Sequence, residues 1–320
     1  MTERVGEFDL IARHFTRPVT RAALGVGDDC ALLRVDPGMQ LAVSCDMLVE
    51  GRHFLSTVAP DRLGHKALAV NLSDLAACGA QPLAFTLALA LPRGDDQFAA
   101  GLAQGLFALA QQHGIELVGG DTTAGPLNIC ITVMGQVPPG QALLRSGARS
   151  GDDIWVSGLL GDARLALEVF RGSVSLTTGD FEQVRCAMEL PQPRVALGLA
   201  LRGLASSAID LSDGLLGDLG HILQRSAVGA QLWADALPRS ALLASQDASL
   251  QHTCVLSGGD DYELLFTAPP ARRDEVMAAG QRAGVAVTHC GAITAEPGLK
   301  VVDARGQLLP IAQRGFDHFA

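Results

Sequence analysis

The sequence predicts a protein of two α/β lobes, and three observations carry that expectation. At 320 residues the chain is long enough to build two domains, each with its own core. An acidic phrase recurs once in each half: Asn71-Leu72-Ser73-Asp74 within VNLSDLAACGAQP (residues 70–82), and Asp210-Leu211-Ser212-Asp213-Gly214. Between them Pro138-Pro139-Gly140 breaks the chain, and residues 145–151 (RSGARSG) read as a link. The expected domains are 1–147 and 148–320.

Residues 6–15 read as a short amphipathic helix. Gly25-Val26-Gly27-Asp28-Asp29 forms a tight turn that presents two carboxylates together, and residues 30–35 read as a strand. Residues 41–46 alternate as a strand ending on Asp46, with a loop at 51–54. A helical run starts near Leu63 and stops at Gly79, with Pro82 beyond. Asp74 lies in that run among Leu68, Val70, Leu72, Leu75 and Ala76, where a carboxylate has little free surface; such groups persist when paired or metal-bound. Residues 83–91 form a continuous apolar strand, and 95–113 a helix with apolar spacing of three and four. A strand at 115–118 ends in Gly119-Gly120-Asp121-Thr122-Thr123, and a strand at 127–137 closes the lobe. Strands outnumber helices here, and their apolar edge calls for pairing with a second copy, which makes a homodimer the expected assembly.

In the second half, a strand at 154–156 is followed by helical runs at 162–170 and 194–204. A short strand at 207–210 feeds the Asp210–Gly214 turn, and a helix covers 215–225. Residues 255–263 (VLSGGDDYE) are expected to join two strands. A helix at 272–283, a strand at 285–290, a hairpin around Gly306 and a tail ending GFDHFA complete the chain.

Apolar content of 48% and charged content of 18% are globular. No apolar run reaches membrane-span length, and the N-terminus lacks the basic and apolar regions of a signal peptide. Seven Cys without a C-x-x-C pair argue against a disulfide framework and a cysteine zinc site; a cytoplasmic location is expected. The net charge is −10, and Lys66 and Lys300 are the two lysines, so nucleic acid is not an expected partner.

Asp29, Asp46, Asp74, Asp121, Asp210, Asp213 and Asp260 sit at strand ends or helix starts beside Gly, Ser or Thr. Each could be a helix cap or turn residue; the weight lies in their recurrence in both lobes. Acids gathered without cations would repel one another into protonation. Hard oxygen ligands of this kind suit Mg²⁺ or Mn²⁺ bridging to phosphates, whereas zinc lacks a His or Cys pair at ligand spacing. The chain has no P-loop, no Rossmann glycine fingerprint and no protein-kinase catalytic loop. The residues alone therefore point to metal-dependent phosphate chemistry in a two-lobed α/β protein.

GVGDDCALL, VNLSDLAACGAQP, GGDTT, AIDLSDGLLGDLGHI and SGGDDYEL, in that order and at family spacing, resemble the thiamine-monophosphate kinases. These belong to the superfamily of aminoimidazole ribonucleotide synthetase and selenophosphate synthetase. The resemblance implies an α+β fold of two lobes of the aminoimidazole ribonucleotide synthetase type, with mixed or antiparallel sheets and helices packed on one face. It implies ATP-dependent phosphorylation of thiamine monophosphate to thiamine diphosphate, several Mg²⁺ per site, and a homodimer pairing its N-terminal lobes, with each site in a cleft between lobes. Asp29, Asp46, Asp74, Asp121, Asp210 and Asp213 match the family's magnesium ligands, and Ser44 and Cys45 two further metal-contacting positions. Gly120, Asp121, Arg145 and Ser212 fall at ATP-contacting positions, and His53, Asp260 and Phe316 at thiamine phosphate contacts.

Two positions depart from the family pattern. Cys45 stands where Thr is usual, which is harmless if its carbonyl is the ligand. Asp260 stands where Glu is usual, one methylene shorter. Phe316 keeps an aromatic face for stacking but has no hydroxyl. No general base is expected, because a phosphate monoester has a second pKa of about 6 and is already nucleophilic at neutral pH. The rival readings are an amidine-forming synthetase of the same superfamily, a selenophosphate synthetase and a metal-dependent phosphatase. The first is disfavoured by SGGDDYEL and the GFDHF tail, and the second by the lack of a Cys before Cys30.

Overall fold

The computed structural model describes residues 6–310. The chain divides into two compact units. The first takes Leu75 and the chain before it together with Ala80–Gly140; the second takes Ala76–Gly79 and the chain from Gln141 onward.

In the first unit the helix α1 (Glu7–Leu10) continues as a π-helical turn at Ile11–Phe15. There follow β1 (Gln40–Val49), α2 (Pro60–Ala77), β2 (Gln81–Leu91), α3 (Asp96–His113), β3 (Glu116–Ala124) and β4 (Asn128–Val137). The sheet order is β1-β4-β2-β3, with β2 and β3 parallel and the other neighbours antiparallel. In this mixed sheet Phe85, Leu87 and Leu89 stand opposite Val133, Ile131 and Ile129, all buried on one face. Leu63, Leu68 and Leu72 of α2 and Leu102, Leu106 and Leu109 of α3 are buried too. The two helices meet closely because Gly105 carries no side chain: a Cβ there would overlap the carbonyl of Asp61. Asp95 caps α3 by accepting from the Phe98 amide at 3.0 Å, and Gly114 ends it in the left-handed conformation.

The expected strand at 30–35 does not form. That run makes one isolated bridge, Leu24 with Leu32, and places Ala31 and Leu33 against a small cluster of Ala22, Leu83, Ala84 and Val118. Its alternating apolar side chains pack on the sheet without joining a ladder. β3 also runs further than expected, carrying the whole of Gly119–Thr123 as paired strand.

The second unit contains β5 (Asp153–Ser157), α4 (Asp162–Phe170), α5 (Thr178–Glu189), α6 (Val195–Ala200), β6 (Ser207–Asp210), α7 (Leu215–Ser226), β7 (Gly229–Trp233), α8 (Ala241–Ala244), α9 (Ala248–Ser257), β8 (Leu264–Ala268), α10 (Arg273–Ala283), β9 (Val287–Thr294) and β10 (Gly298–Val302). The strand order is β10-β7-β9-β5-β8-β6, with β10 and β7 parallel and all other pairs antiparallel. One core joins Ile154, Val156 and Leu265 of the sheet to Leu165 of α4 and Leu215, Leu219 and Ile222 of α7. Residues 255–263 do not join two strands: 255–257 end α9 (Ala248–Ser257), which Asp247 caps through the Leu250 amide at 2.9 Å, and the remainder leads into β8. The fold class is the expected α+β one, with two mixed sheets.

Candidate functional site

In the first unit, the alternation of β1 decides which side chains face α2. Ser44 Oγ donates to Asp74 Oδ2 at 2.5 Å, and the Asp46 amide donates to Asn71 Oδ1 at 3.0 Å. Cys45, between them, points to the other face, where its Sγ lies 3.4 Å from Cys130 Sγ. The thiol thus faces Cys130 and not Asp74, while the Cys130 thiol, raised chiefly by burial, is still reached by the charge of Asp46, which helps to raise it. Asp74 is half-buried, so the carboxylate expected to lack surface is met by a hydroxyl and still reaches solvent. Asp121 is exposed in β3 opposite Ala88 of β2. Beside it Gly120 has a φ of 150° and lies so close to the main chain of Leu87 that no side chain fits. Asp29 is exposed in the bend that follows Gly27. His53 is half-buried in the turn after β1, and its Nδ1 accepts from the Val49 amide at 3.0 Å.

In the second unit, β6 delivers Asp210, buried, to the turn that opens α7. The 210–214 turn is laced to the 258–263 turn through main-chain bonds. The Asp260 amide donates to Ser212 O at 3.0 Å, the Tyr262 amide to Leu211 O at 2.8 Å, and the Leu211 amide to Glu263 O at 2.9 Å. Asp260 and Tyr262 adopt left-handed φ angles of 70° and 49° to make this exchange. Ser212, Asp213 and Asp260 are thus gathered at one place. Arg145 is exposed on the link, its carbonyl accepting from Ser226 Oγ at 3.3 Å. Phe316 lies outside the described residues.

Residues that the sequence motifs did not single out support these turns. Asp218, buried in α7, accepts from the amides of Asp213 and Gly214 at 3.2 and 3.1 Å. Its carboxyl is pushed up to about 8, chiefly by burial and further by the charges of Asp210 and Asp213. Glu263, also buried, accepts from Ser157 Oγ at 2.5 Å and from both Arg194 Nε, at 2.6 Å, and Arg194 Nη2. Asp261 accepts the Gly161 amide at 2.9 and 3.1 Å on its two oxygens, and burial raises its carboxyl well above the usual range.

Among the described residues, no three His, Cys, Asp or Glu side chains converge closely enough to hold a metal ion unaided. Oxygens are instead brought together in smaller sets: Ser44 with Asp74 in one unit, and in the other Asp218 against the Asp213 main chain, where it feels the charges of Asp210 and Asp213. That chemistry is all hard oxygen. It fits Mg²⁺, which keeps its waters and takes one or two carboxylates plus substrate phosphates. Burial is the main reason that the Asp218 carboxyl is raised; the charges of Asp210 and Asp213 add to it, and a cation nearby would relieve that part.

Comparison with known proteins places the chain. The AIR synthase related protein, N-terminal domain, matches residues 27–137, and the corresponding C-terminal domain matches 139–304. Thiamine-monophosphate kinase of Salmonella typhimurium is 45% identical over 322 residues, covering 98% of each chain. The crystal structure of thiamine-monophosphate kinase from Stenotrophomonas maltophilia K279a superposes with a TM-score of 0.85 at 45% identity, over 94% of this chain and 95% of that one. A structure of AaThiL complexed with AMPPCP and TMP superposes with a TM-score of 0.76 at 27% identity, over 88% of each. No helix among the described residues is long and apolar enough to cross a membrane.

Proposed function

The chain belongs to the thiamine-monophosphate kinase family of phosphotransferases, and on that premise we propose that it transfers the γ-phosphoryl group of ATP to thiamine monophosphate, yielding thiamine diphosphate and ADP. The observation that carries this reading is 45% identity sustained over 98% of both chains. A relative's structure with AMPPCP and TMP supports the same two substrates.

The task for the protein is to bring two polyanions together in line, which is a matter of positioning and charge neutralisation. We assign Asp29, Ser44, Asp46, Asp74 and Asp121 of the first unit, and Asp210 and Asp213 of the second, to holding Mg²⁺, with Cys45 acting through its carbonyl. Bound Mg²⁺ would supply charge neutralisation and a template for the phosphates. Gly120, Asp121, Arg145 and Ser212 are assigned to ATP, and His53, Asp260 and Phe316 to thiamine monophosphate. His53 accepts from the Val49 amide through Nδ1, so the ring hydrogen is on Nε2. Asp218 and Asn71 hold the main chain on which Asp213 and Asp46 are mounted. The acceptor phosphate is its own nucleophile, so no residue is assigned as a general base.

We further propose division of labour between residues 1–147 and 148–320, a cytoplasmic setting, and a homodimer. Seven free cysteines fit a reducing compartment. β1 is an edge strand whose outer face exposes Leu41, Val43 and Met47, a surface suited to a second copy.

The test follows label from the γ-phosphate of ATP. It is expected in thiamine diphosphate and to be absent there when a chelator removes Mg²⁺. Label released only as inorganic phosphate would refute the transfer.

A further inference from the structure

Lys66 is the largest fully buried side chain among the described residues, 2% exposed, and one of two lysines in the chain. A buried ammonium is costly unless bonded, so such a lysine is retained for what it holds. Lys66 stands on α2, where its Nζ donates to the carbonyl oxygen of His53 at 3.0 Å. His53 is held at two other atoms as well. Its amide donates to Val49 O at 3.0 Å, and its Nδ1 accepts from the Val49 amide at 3.0 Å. The turn closes through Gly51 N to Phe54 O at 2.8 Å, with Phe54 buried. The local bonds to Val49 shape the turn. The bond from Lys66 connects it to the helix that also carries Asn71 and Asp74, which bond Asp46 and Ser44. One face of α2 thus fixes three successive points along β1 and the turn beyond it.

We propose that Lys66 is a positioning residue for the phosphate of the acceptor substrate: by anchoring the His53 carbonyl to α2, it sets the direction in which the His53 imidazole is presented. The inference rests on the assignment of His53 to thiamine monophosphate made above. It goes beyond that assignment in naming what orients the ring. Without the ammonium, the turn keeps its bonds to Val49 and loses this tie to the helix. Binding of thiamine monophosphate should then weaken while ATP binding is spared.

The test measures KM for each substrate in Lys66→Met, His53→Ala and the double variant. Methionine keeps the apolar stem and removes the donors. Lys66→Met is expected to raise KM for thiamine monophosphate about tenfold and to leave KM for ATP within about twofold. The double variant should be no worse than His53→Ala alone, since both act through one ring. Should Lys66→Met fail to fold, Lys66→Gln, which retains a shorter donor, is expected to shift the same constant about threefold. Equal shifts for both substrates, full additivity in the double variant, or a loss of thermal stability with both constants unchanged would overturn the proposal. An unchanged KM in His53→Ala would remove the His53 assignment itself, a failure distinct from a normal His53→Ala loss accompanied by a silent Lys66→Met.

Discussion

Ser44 Oγ donates to Asp74 Oδ2 at 2.5 Å, joining β1 to α2. The hydroxyl satisfies one carboxylate oxygen, and the half-buried setting leaves the group in reach of solvent. The Mg²⁺ role proposed for Asp74 calls for a fixed oxygen with room for water, and this setting is compatible with both.

Asp74→Asn and Asp121→Asn are accordingly expected to lower turnover at least about a hundredfold, because a neutral amide oxygen is a poor Mg²⁺ ligand. Both proteins should keep the wild-type far-UV circular dichroism. Full activity in either would remove that residue from the metal-holding set.

Arg194→Met should destabilise the second unit by about 3–5 kcal/mol, because it leaves the buried Glu263 carboxylate without its counter-ion. Urea unfolding checks this. Arg194→Met with Glu263→Gln should recover part of the loss, since the buried charge is then gone.

Glu116 accepts from the Thr20 hydroxyl and the amides of Thr20, Arg21 and Ala22. Burial works against its ionised form, but these four bonds prevail and hold its carboxyl below the usual 4.5. A depressed carboxyl contributes stability that is present above its unfolded value and lost as pH falls through its folded one. The melting temperature of Glu116→Gln should therefore be below wild type at pH 7. The gap should narrow as pH falls below the ordinary value of 4.5 and close once the depressed native carboxylate is itself protonated. A gap independent of pH would show that the charge is immaterial.

Gly105→Ala should cost about 1–3 kcal/mol or more, since the added methyl overlaps the Asp61 carbonyl and must force α2 and α3 apart. The measurement is thermal unfolding. A neutral effect would mean that the helix contact is looser than described.

How much of this was legible in the sequence depends on where the signal lay. Helices α2 and α3 could be read because apolar spacing and terminal glycines agree. α5 and α9 were missed: TGDFEQVRCAME and ASLQHTCVLS mix polar and apolar residues without a clear stripe. β7, five residues long, offers too little alternation to recognise. Of the candidate acids, Asp29, Asp213 and Asp260 stood out in turns beside glycine; Asp46, Asp121 and Asp210 lie in strands and Asp74 in a helix, and were legible through their recurrence beside Gly, Ser or Thr. Their supports were less legible: Asp218 and Lys66 are polar residues inside apolar helices, and Asn71 was read only as part of the Asn71–Asp74 phrase, without its partner Asp46. Arg194 finds Glu263 69 positions away, a pairing that only the fold creates. The scarcity of lysine was the one clue to Lys66, and it gave no partner.

The most direct test of the central claim is product analysis by chromatography after mixing protein, ATP, Mg²⁺ and thiamine monophosphate. The account predicts thiamine diphosphate and ADP in equal amounts, both lost with EDTA. ADP without thiamine diphosphate, or inorganic phosphate and free thiamine without ATP consumption, would contradict it.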